Sequence, residues 1–199
     1  MMRRTRDERV PFGGGTGYAS RMRLALQLVL ALAVTSCIVQ APTQEGTKTA
    51  APKASAAPPV EVKNGANFGD KVELVQTTLT PGRATPGETV HVTFLFRVLD
   101  TIDREYVIFV HVEDADGRVD RLNVDHAPRG KPISQWQKGE LIRDDFDVPV
   151  PPGMTVRALN LIMGLWDPRT DERMPLKNRD QVRNDGRDRI FVATIPMGS

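Results

Sequence analysis

Cysteine occurs once in the 199 residues, at Cys37. A lone cysteine excludes an internal disulfide and a Cys-x-x-Cys zinc site. Histidine is nearly as scarce, with only His91, His111 and His126, spaced 20 and 15 residues apart. No His-Glu-x-x-His pair arises, so neither a metal nor another cofactor is expected. There is no Gly-x-Ser-x-Gly nucleophile elbow, and no Lys-Ser/Thr follows Gly13-Gly14-Gly15-Thr16-Gly17 to make a phosphate loop. Aromatic residues make up 6% of the chain, too few for a broad stacking platform. Neither sign of charge prevails, with 27 Lys and Arg against 25 Asp and Glu. That balance argues against a nucleic-acid partner, which would require a basic face or stripe. No apolar run approaches the roughly twenty residues that a membrane-spanning helix needs.

What is present begins at the N-terminus. Arg21 and Arg23 precede an apolar run from Leu24 to Val34, which ends in Val34-Thr35-Ser36-Cys37. A basic start, a short apolar core and small residues at a cut form a secretory signal. With Cys at its end, this segment resembles the signal of bacterial lipoproteins. The resemblance implies that Cys37 carries a diacylglycerol and two or more acyl chains, which hold a protein stably on a bilayer. Met22 opens a signal of ordinary size, so we expect it to be the true start and residues 1–36 to be a signal region. Residue 38 is Ile, not the Asp that retains lipoproteins at an inner membrane, so an outer membrane is expected. Six basic and two acidic residues precede Cys37, leaving 21 against 23 and a net charge of −2 afterwards.

Residues 37–66 are mostly Ala, Pro, Thr and Lys and offer little to bury. Such a segment is expected to be a flexible, disordered tether. Residues 67–199 are enough for one domain. Val90, Val92, Phe94, Phe96 and Val98 alternate with His91, Thr93 and Arg97, the period of a strand with one buried face. Residues 104–113 are apolar on both faces and predict a central strand. Further strands are predicted over 71–79, 118–124, 141–150, 155–166, 173–176 and 189–195. Turns between them are marked by Thr80-Pro81-Gly82, Asp114-Ala115-Asp116-Gly117, Pro151-Pro152-Gly153 and Asn184-Asp185-Gly186. Seven to eight short strands with no helical pattern predict an all-β, antiparallel sandwich.

The order of Phe109-Val110-His111-Val112, Trp136-Gln137-Lys138-Gly139-Glu140, Gly164-Leu165-Trp166-Asp167-Pro168 and Arg173-Met174-Pro175 resembles a set of bacterial immunoglobulin-like sandwich domains. These occur in envelope lipoproteins and at the tails of membrane glycosyltransferases that build surface polysaccharide. The resemblance implies the fold and supplies no catalytic residues.

Several constellations could bear chemistry. Asp125, His126 and Ser134 suggest a hydrolase triad, but neighbours on an extended chain point to opposite sides. Glu113, Asp114 and Asp116 offer oxygens without the closing Glu of a calcium loop. Asp145 and Asp147 share a strand face, as glycosidase carboxylates can, yet such rows more often guard a sheet edge. The arginines from Arg169 to Arg189 alternate with acids and read as a salt-bridged surface. Trp136 and Trp166 are the candidates for stacking on a sugar ring, with Asp167 and Arg173 as polar neighbours of Trp166. The chain is therefore expected to be a non-enzymatic envelope protein, held on the membrane through Cys37. Its sandwich would contact an envelope protein or a glycan, the latter reading making it a carbohydrate-binding module in polysaccharide assembly.

Overall fold

A computed structural model describes residues 57–198. The expected signal, Cys37 and most of the expected tether lie outside the described residues. The strands are β1 (Val60–Phe68), β2 (Val72–Thr80), β3 (Thr89–Val98), β4 (Val107–Asp114), β5 (Leu122–Asn123), β6 (Leu141–Pro149), β7 (Ala158–Asp167), β8 (Glu172–Arg173) and β9 (Ile190–Pro196). One sheet has the order β1-β2-β3-β6. The other runs β5-β4-β7-β8, with β9 also on β7. All pairings between these strands are antiparallel. The molecule is thus the all-β sandwich its sequence predicts, with nine strands instead of seven or eight.

The additional strand corrects the expected boundary at residue 67. β1 starts at Val60, inside the segment expected to be tether. It is an edge strand, and only Ala66 and Phe68 are buried along it. Backbone pairing to β2 holds it, interrupted by a register shift between Lys63 and Ala66. At that shift, Asn64 donates from Nδ2 to the Val192 carbonyl at 2.9 Å and accepts from Thr77 Oγ1 at 2.7 Å. Several other predicted strands are shorter than expected. Over 118–124 only Leu122 and Asn123 form ladder pairs with β4, continued by the Val124 amide on the Val110 carbonyl and an isolated bridge between His126 and Ile108; β4 starts at Val107, β7 at Ala158, and β8 keeps only Glu172 and Arg173. Short 3-10 turns occupy Ile133–Gln135 and Arg179–Gln181.

Alternation along β3 converts directly into burial: Val90, Val92, Phe94, Phe96 and Val98 are all buried. They meet Ile108, Val110 and Val112 of β4 and Leu159, Leu161, Met163 and Leu165 of β7 in one core. Phe94 packs edge-on against Phe96 and Phe146, with centroids 5.9 and 5.0 Å away, a favoured aromatic geometry. β4 lies between β5 and β7, as its two apolar faces predict.

The register also sets two poles. Near the start of β1, the Gly82 amide donates to Pro58 (3.0 Å), Met197 to Arg157 (2.9 Å) and Gly198 to Ala84 (2.6 Å). The point where the chain enters the domain and the end of β9 therefore share one pole. At the other pole the Gly69 amide donates to Pro175 at 2.7 Å, and Trp166 pairs with Arg173.

Candidate functional site: an aromatic-floored groove on the outer face

The two tryptophans have different fates. Trp136 follows the 3-10 turn at Ile133–Gln135 and is 2% exposed. Its ring lies 5.5 Å from Phe96, and its indole N–H donates to the Lys131 carbonyl at 3.2 Å. Trp136 is a core plug and leaves the set of ligand-facing residues. Asp167 leaves it too. Period-two alternation sends Asp167 inward and Trp166 outward, and Asp167 is buried. It accepts the Arg169 amide at 2.9 Å and the Arg169 guanidinium at 3.4 Å. The Arg169 amide foremost, then the guanidinium, hold its carboxyl below the ordinary range against its burial. Its role is to shape the turn after β7.

Trp166 stays half-buried on the outer face, with its indole N–H donating to Asp171 Oδ1 at 3.0 Å. Beside it Phe109 and Ile162 are buried without joining the core, which places them on the same outer face. Phe109 lies across Gly164: a Cβ there would fall 2.4 Å from the ring and 2.8 Å from the Asp188 carbonyl. The aromatic floor therefore needs glycine at that register position.

Three aromatic rings mark this face, and two are covered from within the chain. Arg173 lies 5.0 Å over Phe109, and Arg183 lies 4.1 Å over Phe191, both within cation–π range. Among the described residues Trp166 has no such cover. It borders a cavity of about 520 Å³, whose walls include Arg121, Asp125, Arg187 and Asp188.

The polar groups there are partly committed. Asp125 Oδ1 accepts the Val110 amide at 2.9 Å, and Asp188 Oδ1 accepts the Leu176 amide at 2.8 Å and Arg179. Asp171 Oδ1 holds the Trp166 indole. The second oxygen of each aspartate has no partner among the described residues, nor do the Arg121 and Arg187 guanidinium groups. Arg173 donates to the Arg187 carbonyl at 2.9 Å, which fixes the ridge between Phe109 and the turn. His111 adds a defined donor. Arg189 can only donate, and it sits 2.8 Å from His111 Nδ1. That nitrogen is therefore bare and the proton is on Nε2. Burial first, then Arg121, push His111 below its usual range, keeping it neutral. The groove thus combines a half-buried tryptophan ring, without an aromatic or cationic partner among the described residues, with free acceptors and free donors.

The other candidates do not converge. Asp125 serves the Val110 amide, His126 contacts Asp144 and Val124, and Ser134 donates to Glu105, so no triad assembles. Asp114 accepts the Asp116 and Arg118 amides and closes a hairpin turn. Asp145 and Asp147 flank His91 on an exposed face of the edge strand β6. Among the described residues no three of His, Cys, Asp and Glu are placed to hold a metal ion. Of the C-terminal arginines, Arg179 pairs with Asp188, and Arg189 with Asp185 and Glu113.

Of the residues the sequence singled out, Trp166 and Arg173 line this groove. Phe109, Arg121, Asp171 and Arg187 also line it but were not singled out as ligand contacts, although a glycine inside the apolar strand at Gly164 signals close approach of another group.

A β-sandwich with a concave, polar, aromatic-floored groove is a geometry suited to holding a small or chain-like ligand. No family model matches this chain, and no curated protein is found similar to it. Among solved structures it is similar to the crystal structure of the C-terminal domain of Wzt, at 13% identity with a TM-score of 0.41, over 71% of this chain and 79% of that one.

Proposed function

We propose that this protein is a lipid-anchored, non-enzymatic component of a bacterial cell envelope, and that its sandwich binds a saccharide in the Trp166 groove. The observation that carries the binding half is the half-buried Trp166 ring, without an aromatic or cationic cover among the described residues, beside unpartnered hydrogen-bonding groups. A sugar has an apolar face that fits a π surface and hydroxyls that both donate and accept. The two neighbouring rings already wear arginine covers; a pyranose would supply the third.

Anchorage rests on Val34-Thr35-Ser36-Cys37 and the apolar run before it, and an outer membrane is the proposed location. The groove lies clear of the point of attachment. Trp166 lies eight residues along β7 from Ala158, at the pole away from where the chain enters. At about 3.3 Å per residue this is roughly 26 Å. A tether attached at the entry pole therefore does not cover the groove.

Two experiments test the two halves. On a glycan array the protein should give a signal that Trp166→Ala abolishes with its fold intact. No signal on any glycan, or one indifferent to Trp166→Ala, refutes the binding half. Cells fed labelled palmitate should label the protein but not Cys37→Ser; equal labelling refutes the anchor.

A further inference from the structure

The cavity at Trp166 has a neighbour. A second cavity of about 580 Å³ opens at the same pole, and Arg173 lines both. The register explains the adjacency. Val107, Trp166 and Arg173 form one cross-strand row, about 10 Å across at ordinary strand spacing. Tyr106 immediately precedes this row and lines the second cavity, half-buried beside Met174. Arg173 therefore stands as a ridge between two basins, steadied by the Phe109 ring and the Arg187 carbonyl.

The basins differ in how their cations are held. Around Trp166, Arg121, Arg173 and Arg187 are matched by Asp125, Asp171 and Asp188. In the second, Lys71, Arg104, Arg173 and Lys177 stand with Asp103 and Glu172 in the wall and with Asp100 and Asp70 beside it, so its charges balance too, and only Arg173 has no carboxylate of its own. Three of these cations lean on exposed carboxylates: Lys71 on Asp100 at 2.7 Å, Arg104 on Glu172 at 3.2 Å, and Lys177 on Asp70 at 3.9 Å. Exposed pairs of this kind hold weakly, so an incoming carboxylate can compete for the same donors. A guanidinium in particular can receive it with two parallel hydrogen bonds.

We infer that the second cavity is a subsite for a carboxylated sugar unit. The ligand is then a linear acidic saccharide of at least two rings, with one ring on Trp166 and a uronate-type unit among Lys71, Arg104 and Lys177. Arg173 lies between them and contacts both. The inference rests on the saccharide reading of the Trp166 groove and adds to it the chain length and the charge of the ligand.

The test is calorimetric titration of the protein with oligomers of galacturonate, glucuronate and mannuronate, one to four units long, and with their neutral counterparts. A uronate trimer should bind about tenfold more tightly than its monomer. An Arg104→Gln/Lys177→Gln double variant should lose about tenfold for uronate oligomers and nothing for neutral ones. In the unaltered protein, raising the salt from about 50 to 300 mM should weaken uronate binding selectively, because exposed charges are screened over that range. This last measurement holds even where the double variant does not fold. Equal affinity for monomer and trimer, or uronate binding insensitive to both the double variant and salt, overturns the second subsite. Trp166-dependent binding would then still support the groove. No binding by any oligomer, or binding unchanged in Trp166→Ala, overturns both.

Discussion

Replacing His126 with alanine should cost about 3–5 kcal/mol near pH 6, the range for breaking a buried ion pair from one side, and the cost should shrink as the pH rises. Nδ1 of His126 lies 2.8 Å from the Val124 carbonyl, and Nε2 lies 2.8 Å from Asp144 Oδ2. Carbonyl and carboxylate oxygens accept, so both contacts are hydrogen bonds only when both ring nitrogens carry protons. The pair spans the two sheets. His126 exchanges backbone hydrogen bonds with Ile108 of β4, while Asp144 belongs to β6. The side chains are 14% and 0% exposed, and the ring packs 4.7 Å from Phe146. Without His126 the buried carboxylate keeps only the Arg129 amide, at 2.7 Å. The sign of the pH dependence follows. Burial pulls the imidazole down, but the Asp144 carboxylate and the Val124 carbonyl outweigh it and leave His126 above its ordinary value of 6.5. A base with a raised folded pKa contributes fully below its unfolded value and loses that contribution as the pH climbs through the folded one. The difference between wild type and variant should therefore be level below pH 6.5 and decline above it. Subtraction is essential because His111, shifted downwards, has the opposite sign: its contribution is lost as the pH falls. Urea unfolding followed by tryptophan fluorescence from about pH 5.5 to 9 is the assay. Asp144→Asn and the double variant complete the cycle, and the double should be less damaged than the sum of its singles. A difference that is flat with pH, or that grows with it, would refute the ion pair.

Three further outcomes follow from packing and charge. Trp136→Ala should cost about 3–5 kcal/mol as a core truncation, against about 1 kcal/mol for the half-buried Trp166→Ala; equal losses in urea unfolding would mean that the two rings have been assigned to the wrong environments. Gly164→Ala should cost about 1–3 kcal/mol by overpacking against Phe109, and an unchanged thermal midpoint would show that this ring is free to move aside. Asp145 should titrate at about 2, held down foremost by the Arg143 guanidinium and also by Thr93. In Arg143→Gln an NMR carboxyl titration should place it nearer 3.8, its value without such partners. The folded pKa is depressed, so the small stability it contributes is present above about pH 4 and fades towards pH 2; a midpoint unmoved by the substitution would discount the pairing.

Much of the fold could be read from periodicity, because alternation and burial are the same fact seen twice. Val90 to Val98 shows one buried face, and the two-sided apolarity of β4 shows a strand with neighbours on both edges. β1 was hidden because an edge strand can form through backbone pairing with few buried side chains, and its register breaks at Asn64 and Gly65. The 118–124 strand was overestimated because Asp114 folds the next residues into a turn through the Asp116 and Arg118 amides. At the site, parity held more than was taken from it. Leu159, Leu161, Met163 and Leu165 face the core, so Trp166 and Asp167 had to point to opposite sides. Trp136 carried no such signal, because a tryptophan after a loop turn looks the same in either environment. Arg121, Asp125, Arg187 and Asp188 reach the groove from loops, and only the folded chain brings them together.

The exposure of Trp166 has a structural cause in the length of the segment that covers the outer face. Between β8 and β9 the chain first reaches the edge strand β1, where Asn178 accepts the Asn67 amide at 2.9 Å and donates to the Gly65 carbonyl at 2.8 Å, and then returns over the outer face of β7 and β9. It is pinned further along by Arg183 over Phe191 and by Arg189, which bonds Asp185 at 2.6 Å and Glu113 at 3.3 Å. Asp188 reaches Gly164, two residues short of Trp166 in β7. Arg187 and Asp188 are therefore at once the rim of the cover and a wall of the groove. An unpartnered Trp ring elsewhere on a sheet could be an ordinary exposed apolar residue. Here the same face has an internal solution to the same problem at Phe109 and Phe191, and the solution stops at the one ring bordered by free donors and acceptors. A ligand that stacks on Trp166 would continue the cover by the physics the chain already uses, and a flat, hydroxyl-edged ring meets both requirements of the gap.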